Sequence, residues 1–373
     1  MVVLKYVLFF VKNRNKFVFR TPLKSDVLVY NRVGSEFIVD ALLKDITYTI
    51  IETRGEKYYL SFVVIIQYMK NLWLYRLAPT TAYILSLLKI VKPKVIVTFH
   101  HRKNFKTLMK YYDAEYLSIQ NGIVLESGLS SEKELYIPNL FCFGKREIEL
   151  YKKSTVKVGN FFPVGSLKAG YYKNHLAPHN NNIKYDICLI SQYRSRIEEF
   201  GQSITGMEEY GLMQEFLLHY LRNRSLSLVI ALVSDKEESN LERSYYEKIY
   251  GSKAILMKNN REEYSTYFTI DQSDVIISNN STIAFEALGW GKKTFIFSIS
   301  GSLDFTLNRR YSKHFVMYEK SFNEFEKKID CLRNMTSSEY ARLIKKDKDY
   351  LMNYNPDAPA HKIIRKKIKE HLM

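Results

Sequence analysis

Short β-branched runs alternate with helix-period stretches along the first half of the chain. Residues 26–31 (Asp-Val-Leu-Val-Tyr-Asn) read as a strand, 34–43 as a helix and 47–52 as a second strand. Helical spacing of apolar positions then covers 59–74 and 80–91. The strand 94–99, a helix over 104–112, the strand 114–120 and a buried-strand pattern at 140–143 follow. Such alternation predicts a parallel sheet covered by helices.

The pattern stops between Tyr172 and Lys184, where the polar, proline-containing stretch 173–182 reads as an interdomain linker. It then restarts, with strands at 185–191, 226–234, 254–258, 274–278 and 293–297. Helical patterns at 211–223, 241–250, 264–271 and 282–288 lie between them. The expectation is an α/β chain of two Rossmann-like domains, 1–173 and 183–373, facing each other across a cleft. A length of 373 residues agrees, because one hydrophobic core rarely serves so long a chain.

Composition narrows the classes. With 46% hydrophobic and 25% charged residues the chain is not of a disordered type. A net charge of +17 and a pI near 9.4 would attract nucleic acid, anionic lipid or phosphorylated substrates, unless a general Lys, Tyr and Asn bias inflates them. The three cysteines, Cys142, Cys188 and Cys331, have neither disulfide-framework nor CxxC spacing, which fits a reducing cytoplasm. The apolar N-terminal run is broken at Lys5, ends at Lys12 and has no small-residue cleavage site, so it does not read as a signal peptide. No stretch approaches the roughly 20 apolar residues of a spanning helix, so the expected location is cytoplasmic, and any membrane contact would be peripheral, on the inner face of the cytoplasmic membrane.

The segment 273–293 carries the clearest chemistry. A strand runs into Ser-Asn-Asn-Ser-Thr and then opens a helix, so that free N–H groups and the hydroxyls of Ser281 and Thr282 form an anion site beside Asn280. Glu286, one turn on, is placed to accept hydrogen bonds from ribose hydroxyls, or else is a solvated helix residue behind an ordinary N-cap. This segment, with Phe-Glu-Ala-Leu and Gly-Lys-Lys after it, resembles the donor-nucleotide segment of GT-B glycosyltransferases of bacterial surface carbohydrate. Ile119-Gln-Asn-Gly-Ile123, 142–149 and 158–166 resemble segments of the same surface-carbohydrate (capsule and O-antigen) family.

The resemblance implies a GT-B fold with a C-terminal helix and transfer of a sugar to a polysaccharide or lipopolysaccharide acceptor. The implied donor is a nucleotide sugar, with CMP-activated ulosonic acids favoured over UDP- and CDP-linked sugars. Donor candidates are Ser191, Arg194, Asn280, Ser281, Thr282 and Glu286. Gln120, Asn121 and Gly122, in a turn that suits positive φ, join Lys145 and Arg146 beside Gly144 as acceptor candidates. The base that an inverting reaction requires is sought among His100, His101, Glu126 and Glu36, all just beyond strand ends.

No metal or other cofactor is expected. Asp347-Lys-Asp349 spells DxD, but helical positions two apart point away from each other, so it reads as a solvated face. The C-terminal stripe Ile364, Ile368 and Leu372 would either touch anionic lipid or an acidic saccharide, or pack as a final helix across the domains. Two rivals remain: a nucleotide-sugar 2-epimerase, which needs a carboxylate pair not evident in the sequence, and a nucleic-acid- or polyanion-binding protein, for which no motif stands.

Overall fold

The computed structural model describes residues 14–32, 34–52, 57–99, 104–124, 129, 135–178, 182–193, 204–234, 238–299 and 313–373. Its first unit is built from β2 (Val27–Tyr30), β3 (Tyr48–Ile51), β5 (Val95–Thr98), β6 (Glu115–Ile119), β7 (Tyr136–Cys142) and β8 (Lys157–Pro163). They form one parallel sheet in the order β3-β2-β5-β6-β7-β8. A small parallel pair, β1 (Phe17–Val18) with β4 (Tyr58–Tyr59), lies outside it.

The helices here are α1 (Ser35–Leu42), α2 (Phe62–Tyr75), α3 (Pro79–Val91), α4 (Phe105–Leu108), α5 (Lys145–Lys153) and α6 (Leu167–His175). Alternate residues of one strand feed opposite faces: Val27 and Val29 enter one core cluster, Leu28 and Tyr30 another. Burial on both faces is why these strands read as unbroken apolar runs.

The second unit has strand order β11-β10-β9-β12-β13-β14, again all parallel. These strands are β9 (Tyr185–Ile190), β10 (Leu228–Ala231), β11 (Ala254–Met257), β12 (Ser273–Ser278), β13 (Lys293–Phe297) and β14 (Val316–Met317). Its helices are α7 (Ile204–Leu221), α8 (Glu238–Tyr250), α9 (Ser265–Asp271), α10 (Thr282–Gly289), α11 (Phe322–Asn334), α12 (Ser337–Leu343) and α13 (Lys345–Leu351). This is the doubly wound order whose ligand crevice opens where the winding reverses, between the carboxyl ends of β9 and β12.

The chain returns to the first unit through α14 (Ala360–Leu372). Ile364 and Ile368 are fully buried in the first unit's core beside α1 and α6, with Leu372 packed against it. Of the two readings of this stripe, the packed final helix is the one observed, each isoleucine contributing roughly 1.5–3 kcal/mol by burial. Just before α14 the backbone threads between the units. Asn353 N donates to Phe143 O at 2.8 Å, and Asn353 Nδ2 donates to Pro163 O at 2.7 Å. A Cβ on Gly144 would lie 2.3 Å from Tyr350 O. The close approach that Gly144 permits is to this crossing segment and not to a ligand.

Asp347 also departs from the solvated face expected of the DxD triplet. It is 4% exposed, with Oδ2 lacking a hydrogen-bond partner, whereas Asp349 is exposed. Burial raises the Asp347 carboxyl from 3.8 to about 6, with Lys313 pulling the other way. A carboxyl raised on folding makes the folded state bind the extra proton, so stability falls as pH rises from about 4 to about 6 and is flat above. Asp347→Asn is expected to add about 1–2 kcal/mol at pH 7 and nothing below about pH 4. Urea melts of both proteins across that range check it.

Candidate functional site

A cavity of about 460 Å³ opens between the two units. The first unit lines it with Gly34 at the N-cap of α1, Glu36 and Phe37 in the first turn of that helix, Asn121, and Lys168 of α6. The second unit contributes Ser191, Arg261, Tyr264, Ser281, Thr282 and Glu286 among others. Gly34 has φ 76°, and a Cβ there would sit 3.1 Å from the Phe99 ring, so glycine suits the turn into α1. Tyr264 holds φ 54°, unusual for a bulky residue, and its buried hydroxyl has no hydrogen-bond partner.

At the carboxyl end of β12 the chain turns into α10 with Ser281 as N-cap, and the Ser281 side chain makes no capping bond. The first N–H groups of α10 are thus left without a side-chain cap at the cavity wall, where a helix N-terminus favours an anion. Asn279 N and Asn280 N are already taken, both donating to Gln192 Oε1 at 3.2 and 2.8 Å. Gln192 bridges the crevice between β9 and β12, a role the sequence reading gave to no residue.

Glu286 lies behind this helix start, 3% exposed. Ser166 donates its hydroxyl to Oε1 at 2.5 Å, and Tyr267 donates to Oε2 at 2.7 Å. Burial pushes the Glu286 carboxyl above the usual range, against the pull of those two donors and of Lys168. Both oxygens thus hold protein hydroxyls, of the same chemical type as the ribose donors expected there. Lys168 places Nζ 4.4 Å from the Phe37 ring centre and faces Glu286, Glu36 and Arg261. Burial, with Arg261, holds its ammonium below the usual lysine range. It was missed because, in sequence, it is one lysine among many.

The Gln120–Gly122 turn and α10 come into direct contact, with Ile123 N donating to Thr282 Oγ1 at 3.1 Å. Thr282 thereby links the two units. Neither Asn121 nor Gly122 has the positive φ expected of the turn. Gln120 is buried and its carboxamide is consumed internally: Nε2 donates to Gly122 O and Glu147 Oε1, while Oε1 accepts from Phe143 N. Arg146, 1% exposed, is likewise bonded to Glu147 (2.9 Å) and Val124 O, so the side chains of these two acceptor candidates hold the turn together. Asn121 stays in the cavity wall with Oδ1 buried and unpartnered, and Lys145 is exposed at the start of α5.

Ser191 lines the cavity with its side chain engaged in the same way. Its hydroxyl donates to the buried Glu242 and accepts from Tyr246 OH at 2.8 Å and from Tyr193 N at 3.2 Å. The Glu242 carboxylate also holds Val233 N and Ser234 N, so Ser191 shapes the wall from within. Of the base candidates, Glu36 is exposed at the cavity; His100, His101 and Glu126, and the donor candidate Arg194, lie outside the described residues. Among the described residues no group of His, Cys, Asp and Glu side chains is arranged to hold a metal ion.

Three solved structures share this architecture. A "putative UDP-N-acetylglucosamine 2-epimerase" of Listeria monocytogenes is 13% identical, covering 93% of this chain and 96% of its own with TM-score 0.56. The MnaA–UDP co-structure of S. aureus is 13% identical over 94% and 98%, with TM-score 0.54. The wall teichoic acid polymerase TagF, as its H444N variant soaked with CDPG, is 12% identical over 99% and 95%, with TM-score 0.52. These likenesses establish the two-domain GT-B fold. A search of curated proteins finds no match. Residues 118–368, about two thirds of the chain, match the family described as "putative O-antigen biosynthesis protein". That segment holds the Gln-Asn-Gly turn, Lys168, the α10 start and most of α14, and on it the chain belongs to the O-antigen biosynthesis protein family.

Proposed function

We propose that this chain is a glycosyltransferase that takes a sugar from a nucleotide-activated donor in the interdomain cavity and passes it to a surface polysaccharide or lipopolysaccharide acceptor. The observation that carries this is the uncapped start of α10 at the carboxyl end of β12, opening on a cavity with Lys168 and Arg261 in its walls. Donor phosphate fits that N-terminus, and the two cations offset its charge. The surface-carbohydrate resemblance favours a CMP-activated ulosonic acid over UDP- and CDP-linked donors. The work would be done on the inner face of the cytoplasmic membrane.

Glu36 is the described carboxylate able to serve as base. In an inverting displacement the acceptor oxygen bonds to the anomeric carbon as its proton passes to Glu36. The bond from that carbon to the phosphate oxygen breaks, and the charge left on phosphate is met by Lys168 and the α10 N–H groups. A 2-epimerase would need two free carboxylates at the sugar. Glu36 and Glu286 do share the cavity, yet both Glu286 oxygens are held by Ser166 and Tyr267, which favours transfer.

Ser281→Asp separates fold from ligand. A carboxylate at the N-cap favours α10 by about 0.3–1 kcal/mol and occupies the anion position. The variant is expected to melt no lower than wild type while losing the stabilisation that one of CMP, CDP, UDP, GDP or ADP gives wild type, about 2.7 kcal/mol at a hundredfold excess over Kd. A nucleotide that stabilises both proteins equally would place the donor elsewhere.

A further inference from the structure

On α2 the usual distribution of polar and apolar side chains is reversed. Its buried residues are Val64 and Asn71, and Asn71 makes a polar seam with α3, donating to Ser86 Oγ at 2.9 Å and accepting from Lys89 Nζ at 3.1 Å. The outward face carries Phe62, Ile66, Met69 and Trp73, spaced to form one stripe along the helix, with Ile65 and Leu74 beside it. Phe62 is 77% exposed and Trp73 83%. A contiguous apolar stripe of this kind on a surface helix marks a contact with something apolar.

The surrounding charge says what that is. Lys57, Lys70 and Arg76 are exposed before, within and just after α2. From Lys57 to Tyr112 there is no Asp or Glu at all, in a chain that has 39 of them. We propose that the outer face of α2 is a membrane-docking surface, its apolar stripe entering the headgroup region of an anionic bilayer while the basic residues meet lipid phosphates. A second copy of the chain would bring two uniformly basic rims together, whereas an anionic surface complements them. Trp73 is of the type that settles at a bilayer interface. Among the described residues no helix is long and apolar enough to cross a membrane, so α2 lies on it. This gives the peripheral location proposed above its surface and rests on that reading for the location alone, independently of the cavity's chemistry.

Co-sedimentation of the full chain with phosphatidylcholine vesicles, with and without about 30% phosphatidylglycerol, tests it. Wild type is expected on the anionic vesicles only, with a blue shift of Trp73 emission that Trp73→Phe removes. Phe62→Ser with Trp73→Ser should weaken binding by about tenfold or more, and Lys70→Glu with Arg76→Glu should do so most at low salt. All four side chains are exposed, and unchanged melting and an unchanged nucleotide-induced shift show that fold and cavity are intact. Equal sedimentation of wild type and both variants overturns the proposal. So does a wild-type dimer in ultracentrifugation that the Phe62, Trp73 pair converts to monomer without any vesicle binding, which would make α2 a subunit contact.

Discussion

Lys168→Met is expected to fold normally and to lose about 10²- to 10³-fold in kcat/KM for sugar transfer, as removal of one well-placed donor to developing charge does. Methionine keeps the stem that packs on Phe37 and deletes only the cation facing Glu36 and Glu286. The pH profile supplies a second reading. Burial, then Arg261, holds this ammonium below the usual lysine range, so the protonated form is lost earlier on the alkaline side than for a solvated lysine. Activity should therefore fall as pH rises through that lowered value, and Lys168→Arg, charged at all relevant pH, should carry the alkaline limb upward even at reduced rate. Steady-state kinetics of the three proteins across pH checks this. A Lys168→Met enzyme with wild-type kcat/KM would remove Lys168 from the reaction.

Gly165→Ala is expected to cost more than about 4 kcal/mol, a large part of an ordinary domain's stability. Gly165 has φ 86°, where an L side chain pays about 1–2 kcal/mol, and its Cβ would stand 1.8 Å from Asn353 O. Neither backbone can yield. Gly165 N donates to Cys142 O, and Asn353 is tied to Phe143 and Pro163. Gly291 makes the comparison, with φ 91° and nothing within 4 Å of its Cβ position, so Gly291→Ala should pay the backbone cost alone. Urea unfolding of both variants gives the difference; equal losses would mean that the crossing segment at Asn353 moves freely.

Elements whose residues all face apolar surroundings were legible from the chain itself. The strand patterns at 26–31, 94–99 and 293–297 appear as β2, β5 and β13, because burial on both faces demands unbroken apolar runs. The edge strand β8 escaped notice: Lys-Val-Gly-Asn-Phe-Phe-Pro pairs on one side only and leaves Gly159 and Asn160 exposed, so it has no run to read. α6 was hidden too, since its Leu-Lys-Ala-Gly-Tyr-Tyr-Lys-Asn-His pattern merges into the polar stretch taken for a linker.

What the sequence determined by itself is local: two runs of strand and helix alternation, a strand that ends in small polar residues, and a helix start fit for an anion. Those follow from side-chain periodicity and from the free N–H groups of any helix opening. What only the tertiary structure decided is which polar groups remain available. Gln120, Arg146 and Ser191 look the same in a string of letters as Asn121, Lys168 and Ser281. The first three, Ser191 included although it lines the cavity, are spent on Glu147, Phe143 N and Glu242, while the second three face the cavity. Apart from the adjacent Arg146 and Glu147, these partners lie 22 to 51 positions apart, and the contact of Ile123 with Thr282 spans 159 positions. A buried polar group must be paired, and pairing at such separation is fixed by how the two sheets pack and by the return of α14 to the first unit.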